Sequence, residues 1–128
     1  MAKSKSQLIL LVEDDEFLAE LYATKLELEG YEVALAKDGA SALKLVSEKT
    51  INLVLLDIIL PKMDGFEVLS KLKSNSKTKN IPVILLTNLS QKDEVKKGFD
   101  LGADDYLIKA HFMPSEVITK IKNILDKK

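Results

Sequence analysis

A doubly wound α/β sheet is the fold class this sequence predicts, with five parallel strands alternating with five helices. Two observations carry the expectation. Short apolar runs alternate with longer amphipathic ones along the whole chain, and no stretch repeats another or has a linker's composition. In addition, Leu53-Val54-Leu55-Leu56-Asp57-Ile58-Ile59-Leu60-Pro61 is apolar on both alternating faces, as a central strand of a parallel sheet must be. That run holds one carboxylate and breaks at Pro61. An unpaired charge inside it would be costly, so Asp57 belongs where the strand leaves the core, at its carboxyl end. In open α/β sheets that edge is where ligands bind.

The elements follow in order. Leu8 to Val12 is the first strand, and Glu13-Asp14-Asp15 come at once after it. From Glu16 to Glu29, Phe17, Leu18, Leu21, Tyr22 and Leu28 recur at helical spacing, and Gly30 supplies the stop. Tyr31 to Ala36 alternates as a second strand, and Asp38 caps a helix built on Ala42, Leu43 and Val46. Asn52 to Asp57 is the third strand. A helix over Gly65 to Ser74 uses Phe66, Val68, Leu69 and Leu72, and the lysine- and serine-rich segment Lys73 to Asn80 reads as a solvated loop.

Pro82 to Thr87 forms the fourth strand, its proline at the first position, where it is tolerated. Ser90-Gln91-Lys92-Asp93 has the spacing of a capping box for a helix ending near Gly102. Asp105 to Lys109 is the fifth strand. Pro114 opens the last helix, whose stripe is Val117, Ile118, Ile121, Ile124 and Leu125.

Bulk properties narrow the function. The 128 residues suit one domain, 1–128, with residues 1–6 expected as a flexible tail. A net charge of −1 argues against a general nucleic-acid binder. All 19 basic residues are lysine, so any cationic chemistry comes from an ammonium rather than a guanidinium fork. The absence of cysteine removes disulfides, thiolate metal sites and thiol nucleophiles, and one histidine cannot build a histidine-rich metal site. No apolar run reaches membrane length and the amino terminus lacks a signal-peptide pattern, so the cytoplasm is the expected compartment.

Polar groups mark the strand ends. Strand one ends in Glu13, Asp14 and Asp15, strand three in Asp57, strand four in Thr87 and strand five in Lys109. In a parallel sheet these ends point the same way and converge if the four strands are neighbours. Carboxylates with one lysine form a hard-oxygen site that favours magnesium. Such a set suits reception of a phosphoryl group: the carboxylate attacks, while metal, ammonium and hydroxyl take the phosphoryl oxygens. Taken singly, each residue has an ordinary reading, with Asp14 or Asp15 as a helix cap, Thr87 as a strand residue and Lys109 as a snorkelling side chain.

With Val12-Glu13-Asp14, Asp57 through Pro61, Met63-Asp64-Gly65, Thr87, and Gly102-Ala103-Asp104-Asp105-Tyr106 through Lys109, the chain resembles a response-regulator receiver domain over Leu8 to Leu125. The resemblance implies a flavodoxin-like sheet of order 2-1-3-4-5 with helices on two faces. It implies Asp57 as phosphoacceptor in a two-component phosphorelay. It makes Asp14 a direct magnesium ligand (manganese serving in its place), with Glu13 acting through water and Ile59 through its carbonyl. Thr87 and Lys109 contact the phosphoryl group, and Tyr106 is the switch aromatic that turns inward as Thr87 moves. The donor is a phosphohistidine on a sensor histidine kinase or phosphotransfer protein, docking on the first helix around Phe17 and Tyr22. Output contacts fall on the face of the fourth helix, fifth strand and fifth helix, including Lys92, Lys96, Lys97, Asp104 and Lys120. The chemistry is self-directed, a signalling domain rather than an enzyme with turnover.

The chain departs from the family pattern at three places. Asn88 stands where a small residue is usual, which narrows access to the phosphoryl group. Ala110 stands where a cis proline follows the lysine, and the loop Ala110-His111-Phe112-Met113 is one residue longer, so a rearranged loop is expected, with His111 on the surface and Phe112 packed inward. Ile59 and Leu89, two residues after Asp57 and Thr87, flank the family's path of attacking water, and their bulk predicts slow dephosphorylation. Three other readings are a receiver-like module that is not phosphorylated, an aspartyl-nucleophile phosphohydrolase and a flavodoxin. The phosphohydrolase would need an acid/base aspartate at position 59, which is isoleucine here, and the flavin phosphate of a flavodoxin would be repelled by the carboxylates. With the last helix closing the sequence, no DNA-binding or enzymatic output is expected on this chain, which is either a stand-alone regulator or one domain of a longer one.

Overall fold

The computed structural model describes residues 7–126, so the expected tail at residues 1–6 lies outside the described residues. The order is β1 (Leu8–Val12), α1 (Glu16–Leu28), β2 (Glu32–Ala36), α2 (Gly39–Glu48), β3 (Leu53–Leu56), α3 (Gly65–Ser74), β4 (Val83–Thr87), α4 (Lys92–Asp100), β5 (Asp105–Ile108) and α5 (Pro114–Asp126). The five strands form one sheet of order β2-β1-β3-β4-β5, every pair parallel. This is the flavodoxin-like arrangement, with β1 and β3 adjacent where the strand order reverses.

Alternation along each strand divides the core in two. Leu10, Val12, Val54, Leu56, Val83 and Leu85 meet Ala42, Val68, Leu69 and Leu72 on one face. Ile9, Leu11, Leu53, Leu55, Ile84 and Leu86 meet Tyr22, Leu26, Val117 and Ile121 on the other. Both faces of β3 are therefore fully covered, and its four residues are buried. Aspartates open three helices: Asp15 accepts from the Leu18 N–H at 3.0 Å, Asp38 from Ser41 at 2.8 Å and Asp64 from Glu67 at 3.0 Å.

Several expectations need correction. The buried stripe of α1 is Ala19, Tyr22, Ala23 and Leu26, whereas Phe17 and Leu28 are 74% and 79% exposed. Two alanines bring the helix close to the sheet, so residue size rather than hydrophobicity sets its rotation. In consequence Tyr22 faces the core and does not join Phe17 on an outer surface. The capping box of α4 lies one residue later than expected, with the Glu94 side chain accepting from the Gln91 N–H at 3.1 Å. Lys73 is not part of a solvated face. Its ammonium donates to the carbonyls of Lys79 and Ile81 at 3.1 and 2.9 Å and stands 3.6 Å from Asp104.

After β5 the chain tightens into a 3₁₀ turn, Lys109–His111, and the described peptide bonds are all trans. With alanine rather than proline at 110, the chain keeps the ordinary bond and forms a rearranged loop. His111 is exposed; Phe112 is half-buried against the core shared by α1 and α5, with the Lys120 ammonium 5.9 Å from its ring.

Candidate functional site

The site grows from strand ends held in register. The Glu13 N–H donates to Ala36 O at 3.0 Å and the Asp57 N–H to Val12 O at 3.1 Å, so both residues continue the ladder beyond their strands. Their carboxylates consequently remain among strand ends, and the two residues are only 4% and 6% exposed. Lys109 follows β5, and its ammonium bridges the two, 2.8 Å from Glu13 Oε1 and 2.8 Å from Asp57 Oδ2. The other oxygens are also engaged: Glu13 Oε2 accepts from Asp15 N–H at 3.1 Å, and Asp57 Oδ1 from Ile59 N–H at 3.2 Å.

Electrostatics follow from burial. Desolvation lifts the Glu13 carboxyl above its ordinary range, although the Lys109 ammonium and the Asp15 N–H pull the other way. Burial opposes charge on Lys109, but hydrogen bonds to Asp57 and Glu13 prevail and hold the ammonium above its usual value. Lys109 is thus a permanent cation lodged between two carboxylates.

Thr87, the last residue of β4, is fully buried, and its Oγ1 accepts from Leu89 N–H at 3.4 Å. Tyr106 on β5 is buried too, donating its hydroxyl to Leu89 O at 2.7 Å. Burial, with the Glu94 and Asp57 carboxylates adding to it, pushes the Tyr106 phenol up to about 12. The ring expected to turn inward on switching already lies inward in this structure.

Of the other residues expected at the site, Asp14 is exposed beside Glu13, and Ile59 is 57% exposed. Ile59 and Leu89 share a cleft of about 490 Å³ with Asp64, Phe66 and Lys97. Among the described residues, no three carboxylates or histidines gather into a ready-made metal cage. The intimate pairing of Glu13 with Lys109 has no signature in the sequence, and neither does the role of Leu89 O as the tyrosine's acceptor.

Gly65 shows why the loop after β3 has its composition. A Cβ there would stand 2.3 Å from Asp57 O and 2.6 Å from Ile58 Cα, while the Gly65 N–H donates to Ile58 O at 2.7 Å. The start of α3 thereby presses directly on the backbone of the acidic strand end, an approach only glycine permits. The sequence signal for it is Asp64-Gly65, a helix cap followed at once by glycine.

The sequence profile of the response regulator receiver domain matches residues 9–122. The chain belongs to this family. The receiver is 39% identical over 117 residues to the DNA-binding dual master transcriptional regulator RpaA of Synechocystis, covering 91% of this chain and 48% of that protein. It therefore spans about half the length of the curated relatives it matches. A response regulator receiver domain protein (CheY-like) from Methanospirillum hungatei superposes with TM-score 0.89 at 32% identity, over 96% of each chain. The Mn(2+)-bound form of response regulator Rcp1 superposes at 0.80 with 31% identity, over 91% of this chain and 92% of that one. The receiver is thus a two-component signalling domain, and among its described residues no helix is long and apolar enough to cross a membrane.

Proposed function

We propose that Asp57 accepts a phosphoryl group from a phosphohistidine, and that the change of charge there resets the surface offered to a partner. The observation that carries this reading is the Lys109 ammonium held at 2.8 Å from Asp57 Oδ2. A carboxylate oxygen attacks phosphorus, the P–N bond breaks, and the imidazole leaves. In this reading Lys109 neutralises one phosphoryl oxygen and the Thr87 hydroxyl donates to another. As Thr87 turns toward that oxygen it releases the Leu89 N–H, and Leu89 also holds Tyr106.

A hard divalent cation, Mg²⁺ or Mn²⁺, fits the donor set. One ammonium against the carboxylates of Glu13, Asp14 and Asp57 leaves two negative charges to be balanced. Asp14, Asp57 and the Ile59 carbonyl would hold it directly and Glu13 through water. When bound, it would supply positive charge to neutralise the phosphoryl oxygens. The Mn(2+)-bound form of the similar regulator Rcp1 supports the choice of metal.

The donor is a histidine kinase or phosphotransfer protein. It docks on the α1 side, where Phe17 and Leu28 are exposed. Output leaves from the face of α4, β5 and α5. The chain folds as one receiver domain acting in the cytoplasm, and the chemistry of that domain is confined to acquiring and losing its own phosphoryl group.

The deciding experiment is intact mass after incubation with acetyl phosphate, with and without magnesium, for this chain and for Asp57→Ala. One magnesium-dependent phosphoryl group, absent in Asp57→Ala, is the expected result. Modification that survives Asp57→Ala refutes the assignment. No modification by acetyl phosphate or by phosphohistidine donors, with no magnesium binding, would make this an unphosphorylated interaction module.

A further inference from the structure

The interior of α4 contains a glycine, a residue that weakens helices. Gly98 is buried on the side of α4 that faces the sheet. A Cβ placed on it would stand 2.7 Å from Leu85 Cδ1, 2.9 Å from Tyr106 Cδ2 and 3.3 Å from Tyr106 Cε2. Real Cβ atoms do not approach other atoms so closely, so ring and helix meet here only because a side chain is missing. The phenol of the same ring donates to Leu89 O at 2.7 Å, and the Leu89 N–H donates to Thr87 Oγ1 at 3.4 Å. Leu89 thus joins the phosphoryl-sensing hydroxyl to the ring, and the ring rests against α4.

We propose that Gly98 is a positioning residue of the switch: the notch it leaves in α4 is the slot that keeps the Tyr106 ring buried and couples the seat of α4 to Thr87. The inference deepens the regulation of the Asp57 site and rests on the receiver reading above. The ring is seated before any phosphoryl group arrives. Any displacement of Thr87 passes through Leu89 to the ring, and a ring that shifts in its slot changes the support beneath α4. A side chain at position 98 forces ring and helix apart. The mechanism is steric and needs no ligand.

The test is a cycle of Gly98→Ala, Tyr106→Ala and the double variant, all unphosphorylated. It is read by melting temperature and by the ionisation of Tyr106, followed through the ¹³Cζ resonance and assigned with Tyr106→Phe. Alanine is the better helix former, so without a slot the substitution raises the melting temperature in either background. The slot predicts opposite signs: Gly98→Ala lowers the melting temperature when Tyr106 is present and raises it in Tyr106→Ala, where Leu85 has room to move. It also predicts that Tyr106 ionisation falls from about 12 toward the ordinary 10.0 in Gly98→Ala. The same sign in both backgrounds, or a Tyr106 midpoint that stays near 12, overturns the proposal. Should Gly98→Ala not fold, recovery of the fold in the double variant supports the slot and continued failure overturns it. None of these readouts involves phosphate, so they remain distinct from the outcome with acetyl phosphate.

Discussion

At the scale of single residues, Ile59 and Leu89 offer the clearest chemical expectation. Both border the cleft beside the strand ends, and neither carries a group able to orient a water molecule. Hydrolysis of phospho-Asp57 is expected to be slow, and Leu89→Glu or Ile59→Asn should accelerate it about tenfold, equivalent to about 1.4 kcal/mol of barrier. The decay of the phosphorylated mass after donor removal measures this; a lifetime of seconds, unchanged by either substitution, would refute it. Tyr106 gives a pH dependence. Its folded phenol titrates at about 12 against 10.0 for a free one, so the folded state binds the extra proton. The resulting stability is fully present below pH 10 and is lost as pH rises toward 12. Relative to Tyr106→Phe, the wild-type chain should lose about 1–2 kcal/mol across that window, as urea titrations at each pH would show.

At the scale of elements, what is legible in the sequence depends on which force dominates locally. β3 is readable because a strand buried on both faces must be apolar throughout, and α5 because one clean stripe suffices to dock a peripheral helix. The rotation of α1 is not, because Ala19 and Ala23 decide it by their smallness while Phe17 and Leu28, the loudest hydrophobic signals, face outward. Lys73 departs from its sequence reading for a related reason: a lysine's charge suggests solvent, but its ammonium can satisfy loop carbonyls that no backbone donor reaches. Asp57, Thr87 and Lys109 are legible as strand-end residues, whereas the Glu13–Lys109 pair depends on side-chain reach, which no spacing encodes. Lys73→Met tests the staple. It should cost about 0.5–1.5 kcal/mol in urea denaturation, chiefly through the part-buried bond to Ile81 O, since water can replace the donor at the exposed Lys79 carbonyl. An unchanged midpoint would make the contact incidental.

At the scale of the whole molecule, the proposed docking residue and the proposed phosphoacceptor occupy different layers. Asp57 and Lys109 lie among strand ends, while Phe17 projects from α1 beside a cleft it shares with Glu13, Leu35 and Lys37. Phe17→Ala should therefore reduce the rate of phosphorylation by a histidine kinase or phosphotransfer donor at least tenfold, leaving the rate with acetyl phosphate and the melting temperature unchanged. Equal rates from both donors would remove α1 from the docking surface.

The hydrogen bonds at the two edges of the sheet differ in kind. At the amino edge, side chains clamp the strands themselves: Asn52 Oδ1 holds the Leu8 N–H at 2.8 Å and Asp104 Oδ1 holds the Val83 N–H at 2.9 Å. At the carboxyl edge the side chains are tied to one another through Lys109 and otherwise hold N–H groups of the loops beyond the strands, Glu13 that of Asp15, Asp57 that of Ile59 and Thr87 that of Leu89. The sheet is thus a cantilever, anchored at one end and loaded at the other. Thermal opening will begin at the loaded end, with amide exchange fastest near the acidic rim and slowest along the clamped base. The charge that the proposed phosphorylation would add at Asp57 would then act where the beam is free to bend, while the anchored base would let the strands move without coming apart.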